Sequence, residues 1–314
     1  MPATSSLGIE CISDAIVHPT KLIDWAPENM STGVQTRDGQ FLTSANLTRL
    51  DQTGNRYEAQ RPALAADTKH AIEKGFFAGM LDHRYGHFLL ESLGRLYCRD
   101  DFPDYPVVWS ARCDVAQQGF QIWQSQLLDL LGVKGPHVLV TEPCSVSRLM
   151  IAPSGYVIQH EFTQAQQSFL AKVPWRPERG KKTWLSRRNQ TRRPVPGMSE
   201  FEDTLRAEGW TIIAPETLSV PKQLEVLARS ERIAGPIGSA LHSLILLKDA
   251  DGLQVDLFVP EPFGTEARMN QNYVTIARAK GFRQAVHFIP NADYVARQHI
   301  SMSDVISRLQ SCLA

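Results

Sequence analysis

The second half of the chain alternates short apolar runs with segments of helical periodicity. Runs of four to six residues such as TWLS, WTIIAP and VDLFV predict buried strands. Segments of about ten residues with one apolar face follow them and predict helices. The predicted helices cover 200–208, 219–229, 239–248, 272–280 and 304–313. This alternation is typical of a parallel sheet with right-handed crossovers, and therefore of an α/β fold.

Two of these helices have recognisable start signals. Ser199 and Glu202 stand at the spacing of a capping box, in which groups at a helix start satisfy one another. Ser219 and Pro221 have the residue preferences of a second helix start. The apolar face of the last predicted helix could pack on either half of the chain.

The first half is less regular. Residues 1 to about 75 break their apolar runs with Pro, Gly and Asn, which predicts irregular strands and loops. Beyond them, GFFAGM, PVVWS, HVLV and RLMIA predict strands, and 86–97, 119–131 and 163–173 predict helices. The segment 174–182, with two prolines, a glycine and several charges, is the best linker candidate. Because 314 residues are enough for two domains, we expect an α/β domain over 1–174 and a Rossmann-like domain over 183–314.

Composition excludes several functional classes. Lys and Arg number 33, as do Asp and Glu, so the net charge is zero and no basic stripe marks a nucleic-acid binder. The five cysteines are scattered, which argues against a disulfide framework or a zinc site. The N-terminus has no apolar segment typical of a secretory signal, and no apolar run could span a bilayer. We expect a cytoplasmic protein; peripheral membrane contact stays compatible with the sequence, and nothing predicts the oligomeric state.

The first candidate site is a glycine-bearing turn, GPIGSALHSLILL, between a predicted strand and a predicted helix. Gly235 and Gly238 let the backbone turn tightly and approach a ligand. N–H groups at the helix start favour an anion such as a pyrophosphate, and Ser239 can add a hydroxyl donor. An ordinary strand–helix turn has the same pattern, and spacing alone weighs the two equally. The turn matches neither a dinucleotide fingerprint nor a hydrolase nucleophile elbow.

The second candidate is a basic segment, WLSRRNQTRR, at the carboxyl end of a predicted strand. It holds four arginines: Arg187, Arg188, Arg192 and Arg193. Guanidinium groups match phosphate oxygens, and loops at this edge of a parallel sheet line the binding crevice. A solvated basic loop is the alternative. The position ahead of the glycine-bearing turn favours phosphate binding.

The third candidate is DHRYGHFLLESLGRLY, in which His87, Glu91 and Arg95 fall four residues apart on one helical face. A carboxylate beside an imidazole orients the ring and increases its basicity, which suits a general base. By spacing alone, a surface pair near a helix start is favoured by roughly two to one over a catalytic pair. Asp82 and His83 are the next candidates for a base.

These three segments, in this order, resemble glycosyltransferase family 61, the DUF563 group. The matching parts are YGHFLLESLGRLY, WLSRR with the RR that follows, and APETLSVPKQLEVLARSERIAGPIGSALHSLIL. Each part alone is moderately specific, and the ordered set is more so. The Leu-His pair after the second loop glycine, where many eukaryotic members have Leu-Thr, resembles a bacterial polysaccharide-biosynthesis branch.

The resemblance implies a GT-B-like α/β fold, in which two Rossmann-like domains face a cleft and the C-terminal one binds the nucleotide. It implies an inverting glycosyltransferase that needs no cofactor or catalytic metal. The donor is then a nucleotide sugar, by our expectation UDP-linked, and the acceptor is a glycan or a lipid-linked molecule. Asp249 and Asp251 imitate the metal-binding DxD of another glycosyltransferase class, but Gly252 follows them and a turn is the expected structure.

The resemblance also assigns residues. Arg187 and Arg193 would contact the donor diphosphate, with Arg188 beside them. The remaining donor-binding residues would be Gly235, Gly238, Ser239 and His242 in the loop, and Glu216 near the nucleoside. His87, oriented by Glu91, would be the base on the acceptor side.

The expected function is sugar transfer in polysaccharide biosynthesis, such as capsule or exopolysaccharide assembly. Two alternatives stay open. One is a non-catalytic sugar-nucleotide-binding partner in a polysaccharide assembly complex, which would bind the nucleotide without turnover. The other is a different transferase or hydrolase on a doubly wound fold.

Overall fold

A computed structural model describes most of the chain: residues 8–22, 29–51, 53–65, 68–190, 197–260, 270–289, 295–296 and 298–313. The chain divides into two compact units, residues 1–170 and 171–314. Each unit has its own main sheet and its own buried core. The protein is therefore a mixed α/β protein whose sheets contain many parallel strands.

The first unit is built on a six-stranded sheet. The strands of this unit are β1 (Glu10–Leu22), β2 (Met30–Gln35), β3 (Thr48–Leu50), β4 (Arg56–Glu58), β5 (His70–Met80), β6 (Val107–Ser110), β7 (His137–Val140), β8 (Cys144–Ile151), β9 (Tyr156–Val157) and β10 (Glu161–Phe162). The order in the large sheet is β2-β1-β8-β5-β6-β7. Strand β5 runs parallel to β8 and β6, whereas β1 runs antiparallel to β2 and β8. The pairs β3–β4 and β9–β10 are separate.

The predicted strands of this half are confirmed. GFFAGM, PVVWS, HVLV and RLMIA lie in β5 to β8. Phe77, Val108 and Leu149, from three adjacent strands, are almost completely buried in one core. Uninterrupted apolar runs are typical of parallel strands covered on both faces, which is why these segments were recognisable.

The α-helices of the first unit are α1 (Tyr85–His87), α2 (Cys113–Gln118), α3 (Ile122–Leu131) and α4 (Gln164–Leu170), and a 3-10 turn covers Thr43–Ala45. The prediction of one regular helix over 86–97 is wrong. Helix α1 passes into a π turn at Phe88–Ser92, then a bend, then a 3-10 turn at Leu96–Asp101. Leu89, Leu90 and Leu93 are buried as predicted, but Arg95 is buried too. Packing on several sides, rather than one apolar stripe, sets the path of this segment.

The second unit has the predicted alternation of strands and helices. Its strands are β11 (Val173–Pro174), β12 (Lys182–Leu185), β13 (Thr211–Ile213), β14 (Arg232–Pro236), β15 (Leu247–Lys248), β16 (Gln254–Pro260) and β17 (Arg283–Ile289). Its α-helices are α5 (Met198–Ala207), α6 (Val220–Ala228), α7 (Gln271–Lys280) and α8 (Met302–Ser311). The main sheet is parallel, with the order β13-β12-β14-β16-β17.

Two local predictions in this unit are wrong. Ser239–Leu246 is a 3-10 helix that ends before the predicted residue 248. The capping box at the start of α5 does not form, because Gly197 is the N-cap residue and no side chain caps the helix. The Glu202 side chain is instead fully buried, where it accepts a hydrogen bond from Trp184 Nε1 at 3.1 Å.

The segment expected to be a linker belongs to the second unit, and the division falls earlier, after Leu170. The backbone N–H of Trp175 donates to Lys248 O at 3.2 Å, and that of Arg176 donates to Ala228 O at 2.8 Å. These bonds attach the proline-bearing segment to its own unit, which a reading of prolines and charges could not foresee.

Helix α8 completes the core of the second unit. Val305 and Leu309 are almost fully buried beside Trp184 and Phe201. The Arg232 guanidinium donates a hydrogen bond to Leu313 O at 2.8 Å, just beyond the helix. The final helix is thus part of the unit that follows residue 170.

We expect Leu309→Ala to lower the free energy of unfolding by about 2–5 kcal/mol, because it leaves a cavity in this core. Urea unfolding followed by tryptophan fluorescence measures the change. Arg308→Ala, at the exposed neighbouring position, is the matched control and should change stability by about 0.5 kcal/mol or less. Equal effects of the two substitutions would contradict the packing of α8.

Candidate functional site

The strand order of the main sheet of the second unit predicts a crevice at the carboxyl ends of β12 and β14. From β12 the chain passes to the edge strand β13, and it then crosses to β14 on the other side of β12. Loops that leave two adjacent strands in opposite directions open a crevice, where ligands of doubly wound sheets bind. Both predicted donor segments lie here, since Arg187 follows β12 and Gly238 follows β14.

The two segments are in direct contact through Arg187. Its Nη1 donates a hydrogen bond to Ile237 O at 2.9 Å. A Cβ at Gly238 would lie 2.3 Å from that same Nη1, so a side chain there would displace the guanidinium. Gly235 has a different role, because its Cβ would lie 2.8 Å from Leu185 O, where β14 passes β12. One glycine therefore makes room for an arginine, and the other for a neighbouring strand.

Tyr273 supports the rest of the glycine-bearing turn through contacts with His242 and Gly238. Ser239 is exposed at the start of the 3-10 helix, whereas His242 is buried. The His242 ring lies 5.0 Å from the ring of Tyr273, measured between centroids. Tyr273 Oη donates to Gly238 O at 3.2 Å. Tyr273, which the sequence did not single out, thus holds both His242 and the loop backbone.

The other predicted donor residues have separate surroundings. Asn189 Nδ2 donates to Glu216 Oε1 at 3.0 Å, which joins Glu216 to the loop after β12. Arg188 Nη1 lies 3.8 Å from Oε2 of the buried Glu202, so this arginine forms an ion pair within its own unit. Arg193 lies outside the described residues.

A second polar cluster lies in the first unit, around Glu91. His87 Nδ1 and Glu91 Oε2 are 2.5 Å apart, so the pair predicted from spacing is in contact. Arg49 binds the same carboxylate with both ends of its guanidinium, Nε to Oε1 at 2.5 Å and Nη2 to Oε2 at 2.9 Å. The Glu91 side chain is only 4% exposed, whereas that of His87 is 28% exposed. The pair is therefore not an ordinary surface pair, and the histidine is its accessible member.

Electrostatics keep the Glu91 carboxylate ionised. Burial would raise the pKa of Glu91, but the charge of Arg49 and the hydrogen bond and charge of His87 outweigh it and hold the pKa at about 2. An ionised Glu91 only accepts hydrogen bonds, so His87 Nδ1 carries the proton between them. In the neutral ring, Nε2 then has the free lone pair and can accept a proton from a ligand.

Arg49 and Arg95 differ from what the sequence suggests. Arg49 comes from β3, in the part of the chain with no regular pattern, so no spacing signal links it to Glu91. Arg95 does not extend the polar stripe of His87 and Glu91 that the spacing predicted. Its guanidinium donates instead to the backbone carbonyls of Ser44, Asn46 and Ala152.

Among the described residues, one group has the geometry to hold a metal ion. Ligand atoms of Asp82, His87 and Glu91 lie within 4.8 Å of one another. Each carboxylate already has a cationic partner, since Arg84 Nη2 lies 2.6 Å from Asp82 Oδ2 and Arg49 binds Glu91. A divalent cation would have to displace or oppose both guanidinium groups, so the cluster is better suited to positioning His87.

The aspartates that imitate a DxD pattern form a turn, as predicted. Asp249 has φ of 52° and Gly252 has φ of 97°, conformations typical of tight turns. In the part of the chain that the structure describes, no helix has the length and apolar character needed to cross a bilayer.

We expect Glu91→Gln to destabilise the protein by about 3–5 kcal/mol at neutral pH, because it leaves the buried Arg49 charge without its partner. The pKa of Glu91 is lowered by folding, so its contribution is complete above about pH 4.5 and is lost as the pH falls towards about 2. The difference in unfolding free energy between wild type and Glu91→Gln should therefore shrink over that range. Urea unfolding at pH 7 and pH 3.5 measures it.

Glu142→Gln is the control, since its half-exposed carboxylate makes only surface ion pairs, with Lys69 and His70. A gap between wild type and Glu91→Gln that is the same at both pH values would contradict the ionised, buried state of Glu91.

A comparison with known protein families gives a match for this chain. The family model described as Glycosyltransferase 61 matches residues 85–253, more than half of the chain. The match begins two residues before His87 and includes β12, β14 and the glycine-bearing turn. No curated protein matches the sequence significantly. The chain belongs to glycosyltransferase family 61.

Proposed function

We propose that this glycosyltransferase moves a sugar from a nucleotide donor, UDP-linked by our expectation, to a hydroxyl group of a glycan or lipid-linked acceptor, with inversion and without a metal. The proposed setting is polysaccharide biosynthesis in the cytoplasm, with peripheral membrane contact where the acceptor is lipid-linked. The contact between Arg187 and Gly238 at the sheet crevice is the observation that carries the proposal. It offers a guanidinium beside backbone that no side chain covers.

On the donor side, the diphosphate would lie in the crevice of the second unit. Arg187 and the start of the 3-10 helix at Ser239 would stabilise the negative charge that gathers on the leaving diphosphate. Arg188 and Arg193 would extend this positive surface, and Glu216, held by Asn189, would face the nucleoside.

On the acceptor side, His87 Nε2 would take the proton of the attacking hydroxyl. The hydroxyl oxygen forms a bond to the anomeric carbon as the bond from that carbon to the diphosphate breaks, and the diphosphate keeps the electron pair. Glu91 holds the ring and stabilises the imidazolium that results. The reaction requires the second unit to present the donor to the first, which is the GT-B-like arrangement that we propose.

We expect Arg187→Ala to weaken binding of uridine diphosphate about ten- to a hundredfold, because it removes a charged hydrogen-bond donor from the crevice. Isothermal titration calorimetry measures the dissociation constant. Arg206→Ala, which removes a half-exposed arginine of the same unit that pairs with Asp203, is the control and should bind as wild type does. If both variants keep wild-type affinity, the segment after β12 is a solvated loop and the donor site lies elsewhere.

We expect His87→Ala to lower turnover about 10²–10⁴-fold while donor affinity is almost unchanged. Glu91→Gln should lower turnover less, because it acts through the ring. Turnover and melting temperature measured on the same samples separate chemistry from folding, and EDTA should not change the wild-type rate. A well-folded His87→Ala enzyme with near-normal turnover would move the base to Asp82 or His83. Nucleotide binding without turnover for any acceptor would favour the non-catalytic partner.

A further inference from the structure

A cavity of about 480 Å³ lies in the first unit and has Glu91 in its wall. Its volume falls within the rough range of 300–1,000 Å³ typical of small-molecule sites. Hydroxyl and amide side chains supply much of the polar lining: Thr32, Thr43, Ser44, Asn46, Thr48 and Ser154. Such groups suit the hydroxyl groups of a sugar. The residue whose carboxylate holds His87 therefore also lines a space of ligand size.

Arg95 lies in the same wall, and we call this space the Arg95 cavity. The Arg95 residue is only 5% exposed. Its Nη1 donates to Ser44 O and Ala152 O, and its Nη2 donates to Asn46 O at 3.1 Å. A guanidinium has five N–H groups, so Nε–H and one Nη2–H make no hydrogen bond to any residue that the structure describes.

Arg95 also makes no close ion pair within the described part of the chain, although the charge of Glu10 acts on it at longer range and its guanidinium lies over the Phe77 ring, 5.8 Å from the centroid. None of the carboxylates in the described part of the chain lies within ion-pair distance of Arg95, in contrast to Arg49 and Arg84, which both have one. Buried charges are normally paired, so an unpaired guanidinium in a cavity wall is suited to an anion supplied by a ligand. Gly79, another wall residue, has φ of 96° and no side chain, and a Cβ there would lie 3.5 Å from Arg95 Nε.

We propose that the Arg95 cavity binds a sugar-sized ligand through one anionic group, a carboxylate or a phosphate, which the free N–H groups of Arg95 hold. We further infer that this ligand is the acceptor, because Glu91 joins the cavity to His87; this second step rests on the proposed function. The acceptor class is then an acidic or phosphorylated sugar. A guanidinium binds either oxyanion through paired N–H donors.

Calorimetric titration of the full-length chain tests the anion preference without any need for turnover. The probes are D-glucuronate, D-glucose 6-phosphate and the neutral control D-glucose. The Arg187→Ala chain is used, so that phosphate does not bind at the crevice of the second unit. At least one anionic probe should bind about ten- to a hundredfold more tightly than glucose, and the stronger of the two identifies the carboxylate or the phosphate as the natural group.

Two variants connect that preference to the cavity. Arg95→Met should abolish it. Glu161→Gln, at an exposed position in the wall, removes a negative charge and should strengthen binding of the anionic probe several-fold without affecting glucose. Glu142→Gln, a surface substitution outside the cavity, should change the affinity for neither the anionic probe nor glucose. Because Arg95 also bonds three carbonyls, Arg95→Met can fail to fold, in which case the Glu161→Gln result decides.

Equal affinity for the three probes, or a preference that Arg95→Met or Glu161→Gln leaves unchanged, would overturn the proposal and give Arg95 a structural role only. The outcome is separate from that of the proposed transfer reaction. Anion preference without any sugar transfer would keep the cavity and remove the transfer mechanism. Transfer to neutral acceptors without any anion preference would keep the transfer mechanism and remove the proposed role of the cavity.

Discussion

A carboxylate removed from water must have a positive partner, and in the first unit this requirement is met at Glu91. Arg49 neutralises it from β3, and His87 shares its second oxygen. The contact between Arg49 and Glu91 joins the short strand β3 to the segment that follows β5. The position of each segment therefore depends on the neutralisation of this charge. The same contacts hold an imidazole at the surface with its outer nitrogen free. One buried charge therefore both joins these segments and positions the His87 ring.

The second unit meets a different constraint, the space around a guanidinium. Arg187 lies against the backbone of Ile237 and Gly238, which is possible only because position 238 has no side chain. The crossover of the parallel sheet brings the two loops to the same edge. This edge therefore combines the positive charge of Arg187, backbone that no side chain covers and a loop that Tyr273 supports. These features suit an anion better than a buried charge pair such as Arg49 and Glu91 does.

Unequal charge compensation distinguishes the two arginines of the first unit. Arg49 is bound by a carboxylate, whereas the hydrogen bonds of Arg95 among the described residues go to backbone carbonyls and the residue borders a cavity. In the proposed mechanism, Arg49 holds the carboxylate that positions His87, whereas Arg95 is the arginine that we propose for an anionic ligand.

The sequence by itself determined the strand and helix order of the second unit, because buried parallel strands need apolar runs and their crossover helices need one apolar face. It also paired His87 with Glu91, since residues four apart meet on a helical turn. It did not predict Arg49, Tyr273 or the unpaired state of Arg95, because those contacts join residues far apart in the chain. Packing likewise decided three further features. They are the π turn after α1, the burial of Glu202 in place of a capping box, and the path of residues 173–178. Spacing along the chain predicts which side chains can meet within one helical turn. Only the tertiary structure decides which distant charges and carbonyl groups bind those side chains, because such contacts depend on how the elements pack.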